Sequence, residues 1–189
     1  MSQTLSSRQH AANVLGALSL VVADRMNAAV EAVAALGPSA PAALAALHEF
    51  LDGGSVTQLS SVLGLSHSGT VRLVDRLADE GLVERIGAQD GRAVSVVLTS
   101  SGGRVALRIR QARSKALTGA LSALTSDEVD NLGTALDTML TTITLARAEE
   151  RSTRPHDRPQ PWLCRLCDFE ACGRSEGNCP VSNAVTDSN

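Results

Sequence analysis

Residues Val56 to Thr99 read VTQLSSVLGLSHSGTVRLVDRLADEGLVERIGAQDGRAVSVVLT, and this stretch decides the fold. A short amphipathic segment closes at Leu63 and Gly64, and a tight turn follows at Leu65 and Ser66. In the second segment the apolar residues Val71, Val74, Leu77 and Ala78 recur at helical spacing. Beyond Gly81 the period changes. Val94, Val96 and Leu98 alternate, as in a strand with one buried face, and Gly91 marks a charged hairpin tip. Helix, turn, helix and hairpin in that order predict a winged helix-turn-helix over residues 55–100, within a mainly α fold that has one small β-hairpin wing.

Outward from this stretch the chain is helical. Ala11 to Leu36 reads as one long amphipathic helix. Its apolar run lacks the basic flank of a secretory leader, having only Arg8, and continues through Asp24, Arg25 and Glu31. No run reaches the roughly 18 uncharged apolar residues of a membrane span, so the expectation is a cytoplasmic protein with no membrane partner. Val14, Leu15, Leu18, Val21, Val22, Val30, Val33 and Leu36 exceed what one small domain can cover, which predicts a second copy of the chain as their partner. Gly37 and Pro38 end this helix. Ser39 is placed to cap the next, with Pro41 in its first turn and Leu44, Leu47, Phe50 and Leu51 as its buried stripe. Ser55 or Thr57 starts the following helix, whose Leu59, Val62 and Leu63 face inward. After the hairpin, a helix runs from Ser101 to about Leu124, its start loosened by Gly102 and Gly103. Thr125 and Glu128 have capping-box spacing and open a last helix whose Val129, Leu132, Leu136, Met139, Leu140, Ile143 and Leu145 read as dimer core.

Composition agrees with packed helices: of 189 residues 43% are hydrophobic but only 2% aromatic, so the core is built from Leu, Val and Ala. The net charge of −3 alone argues weakly against a nucleic-acid partner. Its distribution argues for one. From Arg72 to Lys115 nine basic residues face five acidic ones, a local balance of +4. Ser66 is the cap of the helix expected to enter double-stranded DNA, and the free amides of a helix start can hold a phosphate. His67, Ser68, Thr70, Arg72 and Arg76 lie off the apolar stripe. The short hydroxyl residues and Arg72 are placed for base edges, and Arg76 for phosphate.

GLVER at Gly81 to Arg85, Asp90-x-Arg92, and LTSSG at Leu98 to Gly102 together resemble the MarR family of dimeric winged-helix regulators. The resemblance spans about Arg8 to Arg147. It implies that Arg92 looks into the minor groove while Asp90 braces it, that the long terminal helices dimerise, and that a small, often aromatic effector binds between the dimer helices and the winged domain. Gly91 stands where the family often has a second Arg.

The winged-helix and dimerisation domain is thus assigned to residues 1–150 and a Pro-rich linker to 151–161. Residues 162–182 form a separate module that holds every cysteine of the chain, Cys164, Cys167, Cys172 and Cys179, spaced C-x2-C-x4-C-x6-C. A reducing compartment disfavours structural disulfides. Four clustered thiols instead suit metal ligation, with zinc as the expectation, an iron–sulfur cluster as the alternative suggested by Cys179-Pro180, and His156 as a distant further ligand.

These readings predict a homodimeric transcriptional repressor of a pseudo-palindromic operator, responsive to a small molecule or to its four-cysteine metal site. The alternatives are an iron–sulfur redox or iron sensor and a zinc-stabilised protein-interaction module. An enzyme is not expected: the sequence has no paired nucleophile and base, no phosphate-cradling Gly loop, and four scattered His.

Overall fold

Caps and close backbone approaches, more than helix propensity, set where the elements begin and end. The computed structural model describes residues 2–87, 94–153 and 160–186, the side chains from residue 7 onward. The order is α1 (Ser2–Glu31), α2 (Ala40–Glu49), α3 (Val56–Leu63), α4 (His67–Asp79), β1 (Val83–Ile86), β2 (Ser95–Leu98), α5 (Ser100–Ala120), α6 (Ser126–Thr153) and α7 (Pro180–Thr186). It is the expected winged helix-turn-helix with long flanking helices.

Helix α1 stops at Glu31, short of the expected Leu36. Val33 and Leu36 instead fold back onto the core formed by α2, α3, α4 and α5. Ser39 stands at the start of α2 but its side chain makes no capping bond, since its backbone is already near-helical (φ −95°, ψ −17°). Pro41 does occupy the first turn. Helix α2 is buried nearly all round, with Ala40, Ala42, Ala43 and Ala46 as well as Leu44 and Leu47 inside. Phe50 and Leu51, expected in that stripe, are only half-buried.

Ser55 caps α3 through a full capping box. Its hydroxyl accepts from the Gln58 N–H at 3.2 Å, and the Gln58 side chain accepts from the Ser55 N–H at 2.9 Å. Gly64 ends α3 in the left-handed conformation at φ 67°. In the wing, β1 pairs antiparallel with β2, from Val83 opposite Leu98 to Ile86 opposite Ser95. Val83 and Val96 are buried beneath it. The Val96 N–H also donates to the Gly54 carbonyl at 2.9 Å, which fixes the hairpin to the start of α3.

Thr99 caps α5, accepting from the Gly102 N–H at 3.0 Å and donating to the Gly81 carbonyl at 2.7 Å. Gly102 does not loosen this helix. A Cβ there would overlap the Leu82 carbonyl oxygen, so the glycine permits β1 and α5 to approach. Helix α5 ends at Ala120, four residues before the expected Leu124. The Thr125 and Glu128 box opens α6, with the Glu128 carboxylate accepting from the Thr125 N–H at 2.9 Å. Helix α6 includes residues 151–153, which the sequence reading gave to the linker. Gln160 and Pro161 are also held, by Arg147, which donates to the Gln160 side chain at 3.2 Å and the Pro161 carbonyl at 2.8 Å.

Among the described residues, apolar side chains of α1 and α6 stand exposed. On α1, Val14, Leu15, Leu18, Leu20 and Val21 are 41–69% exposed; on α6, Leu136, Met139, Leu140, Ile143 and Leu145 are 36–46% exposed. Among the described residues no helix is long and apolar enough to cross a membrane.

Candidate nucleic-acid interface and cysteine cluster

Helix α4 starts at an extended Ser66 (φ −65°, ψ 155°) whose hydroxyl accepts from the Gly69 N–H at 3.1 Å. A Cβ at Gly69 would stand 3.1 Å from that hydroxyl, so the glycine makes room for the cap. Ser66, His67, Ser68, Arg72 and Arg76 are all exposed. Thr70 is not with them. It is fully buried, and its hydroxyl donates to the Ser66 carbonyl at 3.0 Å. The buried stripe is Thr70, Leu73, Val74 and Leu77; it shares Val74 and Leu77 with the stripe read from the sequence and has Thr70 and Leu73 where Val71 and Ala78 were expected. A threonine whose hydroxyl is satisfied one turn back can fill an apolar position, and Thr70 is therefore withdrawn from the base-reading set.

Arg76 reaches back toward the turn before α2, its Nη1 lying 3.7 Å from where a Cβ on Gly37 would stand. Arg85, which sequence reasoning counted only as charge, donates from β1 to the Asp75 carboxylate and, at 3.4 Å, to the Val71 carbonyl. It fastens the wing to α4. Its place within the GLVER motif was the available signal. Asp90 and Arg92 at the wing tip, like His156, lie outside the described residues.

The C-terminal unit has two short 3-10 helices, Leu163–Leu166 and Arg174–Glu176, before α7. Left-handed Gly173 and Gly177, at φ 63° and 76°, turn the chain back so that Cys179 rejoins the earlier cysteines. All four thiols are free, with Cys164 and Cys179 buried and Cys167 and Cys172 half-buried. They influence one another electrically. A hydrogen bond with Cys164, reinforced by the Arg113, Arg165 and Arg174 guanidiniums, lowers the Cys167 thiol to about 6. The same hydrogen bond and burial push Cys164 far up. Burial, then the nearby Cys179 and Cys167 charges, raise Cys172. The Arg113 Nε–H is buried without a hydrogen-bond partner among the described residues. Among the described residues no three His, Cys, Asp or Glu side chains are gathered as a bound ion would gather them. Pro180 opens α7, a favoured place for proline, so Cys179-Pro180 has a local explanation independent of any cluster.

This unit is docked on the winged-helix core. Phe50 stacks on both Trp162 (5.7 Å between centroids, 3° between planes) and Phe169 (5.1 Å, 7°). The Trp162 N–H donates to the Val62 carbonyl of α3 at 2.9 Å. Glu49 accepts from the Phe169 N–H at 3.4 Å and pairs with Arg110 of α5 at 3.4 Å, and Arg110 also meets Asp168 at 3.6 Å. Between α3, α6 and the docked unit lies a cavity of about 580 Å³ whose lining includes Arg147, Arg151, Arg174 and Trp162.

Residues 36–93 match the model of the MarR family. Among curated proteins no sequence relative matches the chain. Solved structures of the same fold include a MarR family protein from Bacillus stearothermophilus (23% identity, TM-score 0.61, covering 76% of this chain and 98% of that one). MepR, a transcription regulator of the Staphylococcus aureus multidrug efflux pump MepA, is 16% identical with a TM-score of 0.62, covering 70% of this chain and 97% of its own. CouR from Rhodococcus jostii, solved with p-coumaroyl-CoA bound, is 22% identical with a TM-score of 0.52, covering 67% and 88%. Each neighbour is spanned almost whole, while about a quarter to a third of this chain falls outside the overlap. Family match and fold agree over the winged helix: residues 36–93 match the MarR-family model, and the fold around them is the one seen in these solved structures.

Proposed function

We propose that the protein is a DNA-binding transcriptional regulator that acts as a homodimer, most simply as a repressor on a pseudo-palindromic operator. The observation that carries this reading is the face of α4. A four-residue buried stripe anchors the helix, and its opposite side presents Ser66, His67, Ser68, Arg72 and Arg76 to solvent together. In this reading Arg72 reads a base edge bidentately, Arg76 holds phosphate, and the wing residues Asp90 and Arg92 add a minor-groove contact. The uncovered apolar faces of α1 and α6 are the dimer surface. Two-fold symmetry then sets the recognition helices about one DNA turn, ~34 Å, apart.

Regulation by a small molecule is part of the proposal. The cavity of about 580 Å³ beside α6 has the size of a small-molecule site, and its three guanidiniums suit an anionic ligand. CouR, with p-coumaroyl-CoA bound, offers an anionic aromatic ligand as the analogy.

The test is an operator search by footprinting on the DNA flanking the protein's own gene, followed by titration at several salt concentrations. Arg72→Ala is expected to cost on the order of 1–3 kcal/mol and relax base choice at one position per half-site, and Arg76→Ala to weaken all sequences alike and reduce the salt slope. Arg72→Ala with unchanged affinity and preference would overturn the assigned face, and a protein that stays monomeric at micromolar concentration would overturn the dimer.

A further inference from the structure

We propose that Cys164, Cys167, Cys172 and Cys179 ligate a single thiolate-bound metal centre, a zinc ion or an iron–sulfur cluster, and that this centre locks the C-terminal unit onto α2 and α3. The consequence for operator affinity rests on the DNA-binding reading above; the metal and the lock do not.

The donor set fits such a centre. Four thiols come from one short segment, two of them buried, and Cys164 and Cys167 share a hydrogen bond. Four thiolates on a zinc ion carry a net charge of about −2, and thiolate-held clusters are anionic too. The surroundings are cationic. Arg113, Arg165 and Arg174 bear on Cys167, and the buried Nε–H of Arg113 has no acceptor among the described residues. An unsatisfied buried donor is costly. An anionic set of ligated sulfurs would balance these guanidiniums, Arg113 among them, where neutral thiols do not. Ligation would draw the four side chains the rest of the way together, as expected where metal binding and folding are one process.

The lock follows from where the unit sits. Trp162 and Phe169 flank the Cys164/Cys167 pair in sequence, and both rings stack on Phe50 at the end of α2. These three are the only Trp and Phe of the chain, which has no Tyr. Trp162 also bonds the Val62 carbonyl, and the Val62 side chain lies in the same core cluster as Leu73 and Val74 of α4. An ordered cysteine segment therefore braces the helices on which the recognition helix rests.

Because Trp162 is the only Trp, its emission reports docking without interference. Full-length protein is purified without oxygen, assayed for zinc, iron and sulfide, and measured by visible absorption and Trp162 fluorescence before and after chelation. It is then reloaded separately with Zn²⁺ and with Fe²⁺ plus sulfide. Expected is one centre per chain, either zinc with a featureless visible spectrum or iron and sulfide with broad visible absorption. Chelation shifts Trp162 emission to the red and weakens operator binding by about 5- to 150-fold, the usual range of coupling between sites, and reloading reverses both. Cys172→Ser lowers metal content. Phe50→Leu, which touches no thiol, keeps the metal, shows the red-shifted emission from the outset and makes operator affinity insensitive to chelation. A protein without stoichiometric zinc or iron both as purified and after reloading, its thiols free or paired as disulfides, overturns the site. Emission unchanged by chelation overturns the lock. If no form binds DNA, the regulator reading fails, and metal content and emission still decide this one.

Discussion

Gly102 and Gly103 are neighbours in the first turns of α5, and the same substitution in each is expected to have opposite signs. A Cβ at Gly103 meets nothing within 4 Å, so Gly103→Ala only restricts the unfolded chain and favours the helix. That stabilises by roughly 0.5–1 kcal/mol. A Cβ at Gly102 would overlap the Leu82 carbonyl oxygen, with the Leu82 carbon at 2.9 Å and Leu98 Cδ2 at 3.2 Å. Backbone cannot swing aside as a side-chain end can. Relief requires β1 and α5 to separate, with an overpacking cost of about 1–3 kcal/mol. The bond from the Thr99 N–H to the Leu82 carbonyl, 3.0 Å long, lies in the path of that movement. Losing it adds about 0.5–1.5 kcal/mol. The expected total of roughly 2–4 kcal/mol corresponds to a melting temperature lower by about 5–15 °C for a chain of this size. Thermal unfolding by circular dichroism, with urea titration to confirm an unchanged slope, measures both variants. A Gly102→Ala protein as stable as Gly103→Ala would refute the close approach and return Gly102 to a mere helix loosener.

Three further outcomes follow from the same geometry. Thr70→Val, nearly isosteric, keeps the Thr70 N–H bond to the Ser66 carbonyl and loses only the hydroxyl bond, so stability changes by no more than about 1 kcal/mol. Operator affinity and base preference should not change in titrations against wild-type and singly substituted operators; a relaxed preference would put Thr70 back among the readers. Ser66→Ala removes the α4 cap and should destabilise by about 0.5–2 kcal/mol in urea titrations. The Thr125 N–H, and after it the Thr125 hydroxyl, hold the Glu128 carboxyl below its ordinary value of 4.5. A group lowered on folding contributes stability that is present above its unfolded pKa and is lost as pH falls through its folded one. The melting-temperature gap between wild type and Glu128→Ala should therefore be open at neutral pH and close as pH drops below 4.5, and a gap independent of pH would contradict the capping role.

Legibility in the sequence depended on whether a residue acts locally or across the fold. Ser55, Ser66, Thr125 and Gly64 were readable because capping is decided within one turn of chain. Ser39 carried the same signal, yet its near-helical backbone leaves the hydroxyl without a cap to make. Thr70 was misread because periodicity scores a hydroxyl as polar, whereas a back-bonded threonine packs like valine. Gly102 looked like a weak helix start because its reason, the Leu82 carbonyl, lies twenty residues back along the chain. Arg85 was counted and not placed for the same cause. Phe50 was assigned to the interior of α2, and no local pattern could reveal that its partners are Trp162 and Phe169, more than a hundred residues away.

That aromatic stack also bears on what keeps the C-terminal unit folded. Between residues 160 and 186 only Cys164, Cys179 and Ala184 are buried apolar side chains, far too few for an independent core. The dock supplies two ring stacks, each worth about 0.5–1.5 kcal/mol beyond burial, and partly exposed pairs such as Arg110 with Asp168, worth about 1 kcal/mol at most. Ordering a residue's backbone costs about 1–2 kcal/mol, so these contacts offset the ordering of only a few residues. The turns at Gly173 and Gly177 are held by the Asn178 N–H, which donates to the Gly173 carbonyl at 2.9 Å, and by the Asn183 side chain, which donates to the Gly177 carbonyl at 2.8 Å; in the proposal above, thiolate ligation adds to these bonds. In that proposal dock and ligation support one another. Either alone leaves the segment marginal, and for that reason a change at the thiols should be felt at Val62 and Phe50, on the helices that carry α4.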